Sequence, residues 1–242
     1  MPTPQSQLSN PSSNWLLAAL SGEVYQRIKP DLEPVTLPIH QVLYDVNEPI
    51  PYLYFPHSAT VSLVYPMQEG AIIEVGVVGI EGMVGLPALL GGMTQTHRAN
   101  VQVEGWATRV STEIIRTEFR RGGELQDLLL RYFQSFLAQV SLTAVSNRLY
   151  TIEERLARWL LLVSDSLQSE TFALTQEFIS QMLGVRRSGV TVAASALSQA
   201  QLIQYRRGHI TILNRNALEE FAGEVYRSGQ AEVLHLLSDR FS

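Results

Sequence analysis

The sequence predicts an α+β protein with a β-rich N-terminal half, a long central helix and a C-terminal half of short helices and strands. Between residues 35 and 112, short runs of β-branched and aromatic residues alternate with Pro, Gly and Asn, as in antiparallel sandwiches and barrels. Between residues 113 and 150, apolar residues recur at helical spacing, and no Pro or Gly interrupts them after Gly123. From residue 173 onward, two amphipathic helices precede two strands.

The composition is that of an ordinary globular protein, with 45% apolar and 17% charged residues in 242. The absence of cysteine excludes disulfides, thiolate metal sites and a cysteine nucleophile. The first residues lack the pattern of a signal peptide, and no run of about 18 apolar residues predicts a membrane span. We therefore expect a cytoplasmic protein with no membrane partner. Residues 1–13, rich in Pro, Ser, Gln and Asn, predict a disordered tail.

Residues 14–119 predict a first domain, a β jelly roll preceded by one helix from Asn14 to Ile28. Pro30 would end that helix. Gln68-Glu69-Gly70 is typical of a hairpin loop between two strands. The expected strands are the runs VLYDVN, YLYFP, TVSLVYP, IIEVGVV, ANVQV and WATRVS.

Residues 120–149 predict one long helix whose apolar surface is too wide for a single contact. One face can lie on the β domain, and the other can pack on the same helix of a second copy. The alternative is a central core helix in a monomer. The expected homodimer interface combines four residues of a stripe near a 3.5-residue repeat with Val140 of the adjacent flank; the four are Leu125, Leu129, Tyr132 and Phe136.

Residues 150–242 predict a winged helix-turn-helix domain. Thr175 is a good N-cap for the first helix, and Gly184 suits the left-handed residue that ends it. A second helix is expected over 187–200, followed by strands over 201–205 and 209–213. Arg206-Arg207-Gly208 would join these strands as a basic wing.

The charge of this region indicates the partner. The chain carries a net charge of −5, yet residues 174–216 contain five arginines and one acid, Glu177. A basic patch on an acidic protein is typical of a nucleic-acid-binding module, although a solvated basic surface is the alternative. The expected contacts with double-stranded DNA come from the two helices and the wing: Thr175, Gln176, Arg186, Arg187, Ser188, Thr191, Val192, Ser195, Arg206 and Arg207.

Residues 125–213 resemble the C-terminal half of the Crp/Fnr regulators, most clearly in the run T-Q-E-F-I-S-Q-M-L-G-V-R-R-S-G-V-T. The β-rich segment resembles their cyclic-nucleotide-binding-like jelly roll. The resemblance implies a dimeric, sequence-specific transcription regulator that reads a near-palindromic operator, with RNA polymerase as a partner if it activates. It places Arg187 on the arginine that reads a guanine. Ser188 and Val192 replace the family's usual Glu and Arg, which implies a different operator sequence.

The sensor half departs from the cyclic-nucleotide-binding members of this family. Their Gly-Glu pair, which holds the ribose, corresponds here to Gly85-Leu86, and their phosphate-binding Arg-Ser/Thr pair corresponds to Arg98-Ala99. Arg98 is a candidate anion ligand or an arginine that closes a surface loop. We expect an unknown small-molecule effector other than cyclic AMP and no cofactor. The candidate effector pocket is Gly82, Gly85, Leu86, Arg98 and Ala99.

Two other functions remain open at this point. One is a ligand-binding jelly roll with a degenerate helix-turn-helix, which a salt titration of DNA binding would separate from a regulator. The other is a cupin-like metalloenzyme, which needs two or three convergent imidazoles. No close pair occurs among the five histidines, so we expect neither a metal site nor catalysis. They are His40, His57, His97, His209 and His235.

Overall fold

The computed structural model describes residues 14–67, 72–91 and 96–238, with side chains described as far as residue 234. The expected tail over 1–13, the hairpin loop Gln68-Glu69-Gly70 and the side chain of His235 lie outside the described residues. Over the described residues, none of the helices combines the length and the apolar character needed to span a membrane.

The single N-terminal helix expected over 14–28 is wrong, because the segment forms two helices. Helix α1 spans Trp15–Ala19 and helix α2 spans Gly22–Ile28. Ser21 caps α2 by accepting a hydrogen bond from the Val24 amide, and this cap ends the first helix as it starts the second. The Asn14 side chain caps α1 and also donates to the carbonyls of Pro56 and Gly82, both at 2.9 Å.

The β domain is a sandwich of two antiparallel sheets, as expected. One sheet has the order β1-β7-β3 and the other β2-β6-β4-β5, with the buried core between them. The strands are β1 Glu33–Leu37, β2 Val42–Tyr44, β3 Tyr52–Pro56, β4 Thr60–Pro66, β5 Ile72–Val78, β6 Arg98–Val103 and β7 Gly105–Ser111. Strand β1 was not expected from the sequence because Pro34 lies within it. An edge strand tolerates a proline, since one side of it makes no ladder bonds.

The helical pattern after the sandwich forms two helices, α3 at Thr112–Arg121 and α4 at Glu124–Leu149. Gly122 and Gly123 separate them with φ values of 81° and 82°, a conformation that favours glycine. The 26-residue helix α4 therefore begins inside the expected range of 120–149. The expected domain boundaries at 119/120 and 149/150 remain a proposal.

The C-terminal region contains five helices and a small sheet in the order β8-β10-β9. Strand β8 was not expected, because its three residues are too few to show a period-two pattern. Thr151 and Glu154 form a capping box at the start of the first of these helices. The elements are α5 Ile152–Leu167, β8 Thr171–Ala173, α6 Gln176–Leu183, α7 Arg187–Gln199, β9 Ile203–Arg206, β10 His209–Ile212, α8 Arg215–Ala222 and α9 Glu224–Ser238.

The two halves of the chain are joined by a buried polar contact. Glu74 of β5 accepts hydrogen bonds from the Trp159 indole of α5 at 2.7 Å and from the Ser62 hydroxyl of β4 at 2.6 Å. Val64 of β4 packs into the C-terminal core, and α6 lies on β5. Helix α9 packs along α4. The four-stranded sheet β2-β6-β4-β5, helix α4 and the C-terminal helices are therefore in direct contact.

We expect Glu74→Gln to remove a pH dependence of stability. Burial raises the pKa of Glu74 from 4.5 to about 7, so folding favours its protonated form. The stability that the protonated Glu74 carboxyl contributes is fully present below about pH 4.5 and is lost as the pH rises through about 7. We compare the unfolding free energy of Glu74→Gln with that of the wild type. This difference should favour the variant by about 1–3 kcal/mol more at pH 8 than at pH 4.5. Urea unfolding of both proteins across this range is the measurement, and a pH-independent difference would contradict the assignment.

Candidate nucleic-acid interface

Helices α6 and α7 form a compact helix-turn-helix. The Thr175 hydroxyl accepts a hydrogen bond from the Phe178 amide at 3.1 Å and so caps α6, as expected. Gly184 ends α6 with a φ of 62°, the left-handed conformation expected of it. The inward face of α7 is buried, each side chain being at most 4% exposed: Val190, Ala193, Ala194 and Leu197.

The outward face of α7 is open to solvent. Its exposed residues are those expected to meet DNA: Arg187, Ser188, Thr191, Val192 and Ser195. Val192 is 63% exposed on this face, and exposure of an apolar side chain to water does not stabilise the fold. The Thr191 hydroxyl lies 3.0 Å from the Gln176 side-chain oxygen and 3.1 Å from the Arg187 carbonyl. This contact places Gln176, at the start of α6, beside the outward face of α7.

The wing is a tight hairpin next to α7. Strands β9 and β10 pair antiparallel, with His209 opposite Arg206. Arg207 and Gly208 make the turn with φ values of 52° and 78°. The Tyr205 hydroxyl donates to the Leu174 carbonyl at 3.0 Å, which ties the hairpin to the start of the helix-turn-helix. Arg206 and Arg207 are exposed at its tip.

Four arginines remain free for an anionic partner. Within the described part of the chain, Arg186, Arg187, Arg206 and Arg207 are exposed, and no carboxylate lies within ion-pair distance of them. Burying charges without partners would be costly, but exposed ones remain available to phosphate groups. The interface is therefore a basic surface made by α7 and the hairpin.

The fifth arginine of the basic segment, Arg215, does not belong to this surface. It forms ion pairs with Asp165 and with Glu219, the latter at 2.8 Å. Tyr226 also donates a hydrogen bond to Asp165, at 2.9 Å. Arg215 thus links α8 to α5 and α9, and the sequence-based charge count overstated the free positive charge by one. Composition cannot show this, since Asp165 lies 50 residues away.

The expected sensor residues do not converge on one pocket. A cavity with about 390 Å³ of space, including its open mouth, lies between the sandwich and α4 and is lined almost wholly by apolar groups. Gly85 and Leu86 line it, but Gly82, Arg98 and Ala99 do not. His97 and Tyr44 provide a polar pair in this lining, at 3.1 Å from each other.

Arg98 is held by a carboxylate. Its guanidinium donates to both oxygens of Asp45, at 2.9 and 2.7 Å, and this contact lowers the pKa of Asp45. Tyr44 pairs with Ala99 across strands β2 and β6, so the same register places Asp45 opposite Arg98. Sequence reasoning missed Asp45 because its partnership appears only once this strand register is known.

Three residues of the expected dimer interface are buried within the chain itself. Leu125, Leu129 and Tyr132 are at most 5% exposed and pack in the core of their own β domain. Phe136 is half-buried against the same domain, where a Cβ on Gly76 would lie 2.8 Å from its ring. Val140 is half-buried. The sequence shows two apolar faces on α4 but not which one faces inward.

The outward face of α4 carries a different apolar set. Four large apolar side chains between 42% and 73% exposed recur along it: Leu130, Leu137, Val145 and Leu149. Their spacing of seven, eight and four residues keeps them on one side of the helix. These residues form an exposed apolar stripe of the kind that was expected to pack on the same helix of a second copy.

No cluster of three or more His, Asp or Glu residues suited to a metal ion occurs within the described ranges. His57 stacks on Trp106 with ring centroids 3.8 Å apart, and burial lowers its pKa to about 4. His97 hydrogen-bonds Tyr44, and His40 lies near Phe178. These three histidines are thus engaged in separate contacts.

Comparison with known proteins finds a family model and solved structures that this chain resembles. Residues 154–221 match the model of the Crp-like helix-turn-helix domain. FixK2 of Bradyrhizobium japonicum is 17% identical, with a TM-score of 0.69 over 80% of this chain and 98% of that one. A CRP-family transcriptional regulator of Thermus thermophilus is 20% identical, with a TM-score of 0.64 over 78% and 97%.

A third solved structure has the same fold. It is the c-di-GMP-responsive global regulator CLP of Xanthomonas campestris, 14% identical, with a TM-score of 0.61 over 80% of this chain and 100% of that one. No curated protein matches the sequence. The chain therefore contains a Crp-like helix-turn-helix domain over residues 154–221, and it shares its fold with solved Crp/Fnr regulators, in agreement with the resemblance seen in its sequence.

Proposed function

We propose that this protein is a homodimeric regulator that binds double-stranded DNA by sequence, with α7 as the recognition helix. The observation that carries the proposal is the outward face of α7, which is exposed and free of acidic residues beside a hairpin with two free arginines. A major groove admits a helix whose outer residues reach base edges, and phosphates attract the flanking cations. The regulators found by comparison are a non-enzymatic class, and we propose no catalytic activity.

The residues of this surface divide into two roles. Arg187 reads a guanine with two hydrogen bonds, while Val192 contacts a thymine methyl group. Ser188, Thr191 and Ser195 are small enough for α7 to approach the base edges. The residues at its border contact phosphate and set the position on the duplex: Thr175, Gln176, Arg186, Arg206 and Arg207.

The homodimer forms through the outward face of α4. Leu130, Leu137, Val145 and Leu149 provide the apolar stripe, in place of the residues that the chain's own core buries. A two-fold axis along paired α4 helices would set two recognition helices about one DNA turn apart, roughly 34 Å. The operator is then a near-palindrome.

The effector of the β domain is not cyclic AMP. The cavity beside Leu86 is almost wholly apolar, and Arg98 is engaged by Asp45 away from its lining. We place the protein in the cytoplasm, where DNA and a small-molecule effector are both accessible.

We expect the double variant Arg206→Ala/Arg207→Ala to bind all DNA sequences more weakly by the same factor. Each lost phosphate contact releases about one fewer counterion, so the slope of log affinity against log salt should flatten by about two. Fluorescence anisotropy over a range of salt concentrations measures it, and Arg120→Ala/Arg121→Ala on α3 is the control. An unchanged slope would show that the wing arginines do not contact DNA phosphates.

We expect isothermal titration to show no micromolar binding of cyclic AMP. The ribose hydroxyls would lose water without an acceptor at Leu86, at a cost of about 1–3 kcal/mol. An exposed ion pair with Arg98 would return at most about 1 kcal/mol, and Asp45 already occupies that arginine. Micromolar binding that disappears in Arg98→Ala would show that the pocket assignment is wrong.

A salt titration with random-sequence duplex DNA tests the proposed function against the alternative of a degenerate helix-turn-helix. The proposal predicts an affinity that falls steeply and linearly with log salt. A degenerate domain on a ligand-binding β-roll predicts no measurable binding even at low salt. That result would leave the fold intact and refute DNA binding.

A further inference from the structure

A narrow cleft lies where the β sandwich, the long helix and the C-terminal helices meet. It holds about 430 Å³ of space including its open mouth. The enclosed part of this space is narrow, so the cleft suits a compact group and not a nucleotide. Strand β5, helix α4 and helices α5 and α6 all contribute to its walls.

Two arginines of α5 line this cleft. Arg158 is only 6% exposed, and among the described residues no carboxylate lies within ion-pair distance of it. Its Nη2 donates to the Thr143 hydroxyl at 3.2 Å, whereas its buried Nε has no hydrogen-bond partner within the described ranges. Arg155, half-buried, donates one hydrogen bond to the Leu183 carbonyl and also has an unpartnered buried Nε.

The negative charge of the cleft does not balance these two cations. Glu74 is the acidic residue of its lining, and its two oxygens accept hydrogen bonds from Trp159 and Ser62 and not from an arginine. Burial raises the pKa of Glu74 to about 7 and lowers that of Arg158 to about 10, because desolvation outweighs the mutual attraction of these two charges. The lining therefore carries at least one positive charge in excess, since Arg158 is buried, Arg155 is half-buried and Glu74 supplies a single negative charge.

A buried arginine normally has a carboxylate or phosphate partner, since its desolvation is costly otherwise. We propose that this cleft binds a compact oxyanion, either orthophosphate or the carboxylate of a small organic acid, through Arg158 and Arg155. The planar guanidinium donates to two oxygens at once and so favours these groups over a spherical ion. An anion here would touch the sensor sheet, α4 and the DNA-binding domain together.

Calorimetric titration of the 242-residue chain tests this proposal directly. The probes are phosphate and succinate, with ionic strength held constant by sodium chloride. We expect at least one of them to bind saturably with one site per chain. Binding of phosphate alone or succinate alone identifies which oxyanion the site selects.

Variants test whether these arginines form the site. Arg158→Gln and Arg155→Gln should each weaken binding by about tenfold or more, because each removes a charge-assisted contact. Arg120→Gln, an exposed arginine on α3, is the matched control and should leave binding unchanged. If Arg158→Gln fails to fold, Arg155→Gln and Glu74→Gln still test whether the anion binds in this cleft.

Glu74→Gln gives a response of the opposite sign. It removes the negative charge of the cleft and keeps a side chain of the same size, so anion affinity at pH 8 should rise several-fold. The proposal is overturned if neither oxyanion binds saturably to the wild type or to Glu74→Gln, or if folded Arg158→Gln and Arg155→Gln bind as well as the wild type. These titrations contain no DNA, so failure of the anion site and failure of the proposed DNA-binding function are distinguishable.

Discussion

Leu137→Glu should convert the dimer to a monomer and weaken operator binding by at least about 100-fold. Leu137 is 52% exposed at the middle of the outward apolar face of α4. In the dimer a glutamate there would be buried close to its symmetry mate, without a counter-charge, at a cost of several kcal/mol. The monomer would bind only one half-site and lose the gain from simultaneous engagement.

Sedimentation equilibrium and operator binding on the same samples measure this effect. Met67→Glu is the matched control, because Met67 is 50% exposed on the β domain and not on α4. The control should remain a dimer with unchanged operator affinity. A Leu137→Glu protein that is still dimeric at micromolar concentration would show that α4 does not form the interface through this face.

Arg187→Ala should lower operator affinity by about 1–3 kcal/mol, or roughly 5- to 150-fold, and relax the preference at one base pair of each half-site. The side chain projects from the first turn of α7 and has no carboxylate partner among the described residues. The loss comes from a bidentate contact with a base, so it should vary with sequence and leave binding to random DNA less affected.

Comparison with the wing variant separates base reading from phosphate contact. Arg206→Ala/Arg207→Ala should weaken all sequences alike, whereas Arg187→Ala should change which sequence is preferred. Competition binding with every single-base variant of the operator measures the difference. An unchanged ranking of these sequences in Arg187→Ala would contradict its role in base reading.

The helix-turn-helix could be predicted residue by residue because its determinants are local. The Thr175 hydroxyl caps α6 through the amide of Phe178, three residues along the chain, and Gly184 takes the left-handed conformation that its position requires. The buried face of α7 follows directly from helical periodicity. Each of these signals lies within a few residues of the structure that it predicts.

The features that sequence reasoning missed depend on contacts between distant segments. Asp45 reaches Arg98 through the register of β2 and β6, and Glu74 accepts from Trp159 across 85 residues. The two apolar faces of α4 have similar periodicity, so only the assembled sandwich shows that Leu129 faces inward and Leu137 outward. Arg215 belongs to the basic segment of the sequence, but its carboxylate partner Asp165 lies 50 residues away along the chain.

Selection of DNA fragments by the purified protein from a random pool is the decisive test of dimeric, sequence-specific DNA binding. We expect enrichment of a near-palindrome with half-sites about one helical turn apart, roughly 10 base pairs between centres. The enriched motif should contain a guanine in each half-site whose preference weakens in Arg187→Ala. A pool that remains random after repeated rounds at moderate salt, or a motif without two-fold symmetry, would contradict the proposal of a dimeric sequence-specific regulator.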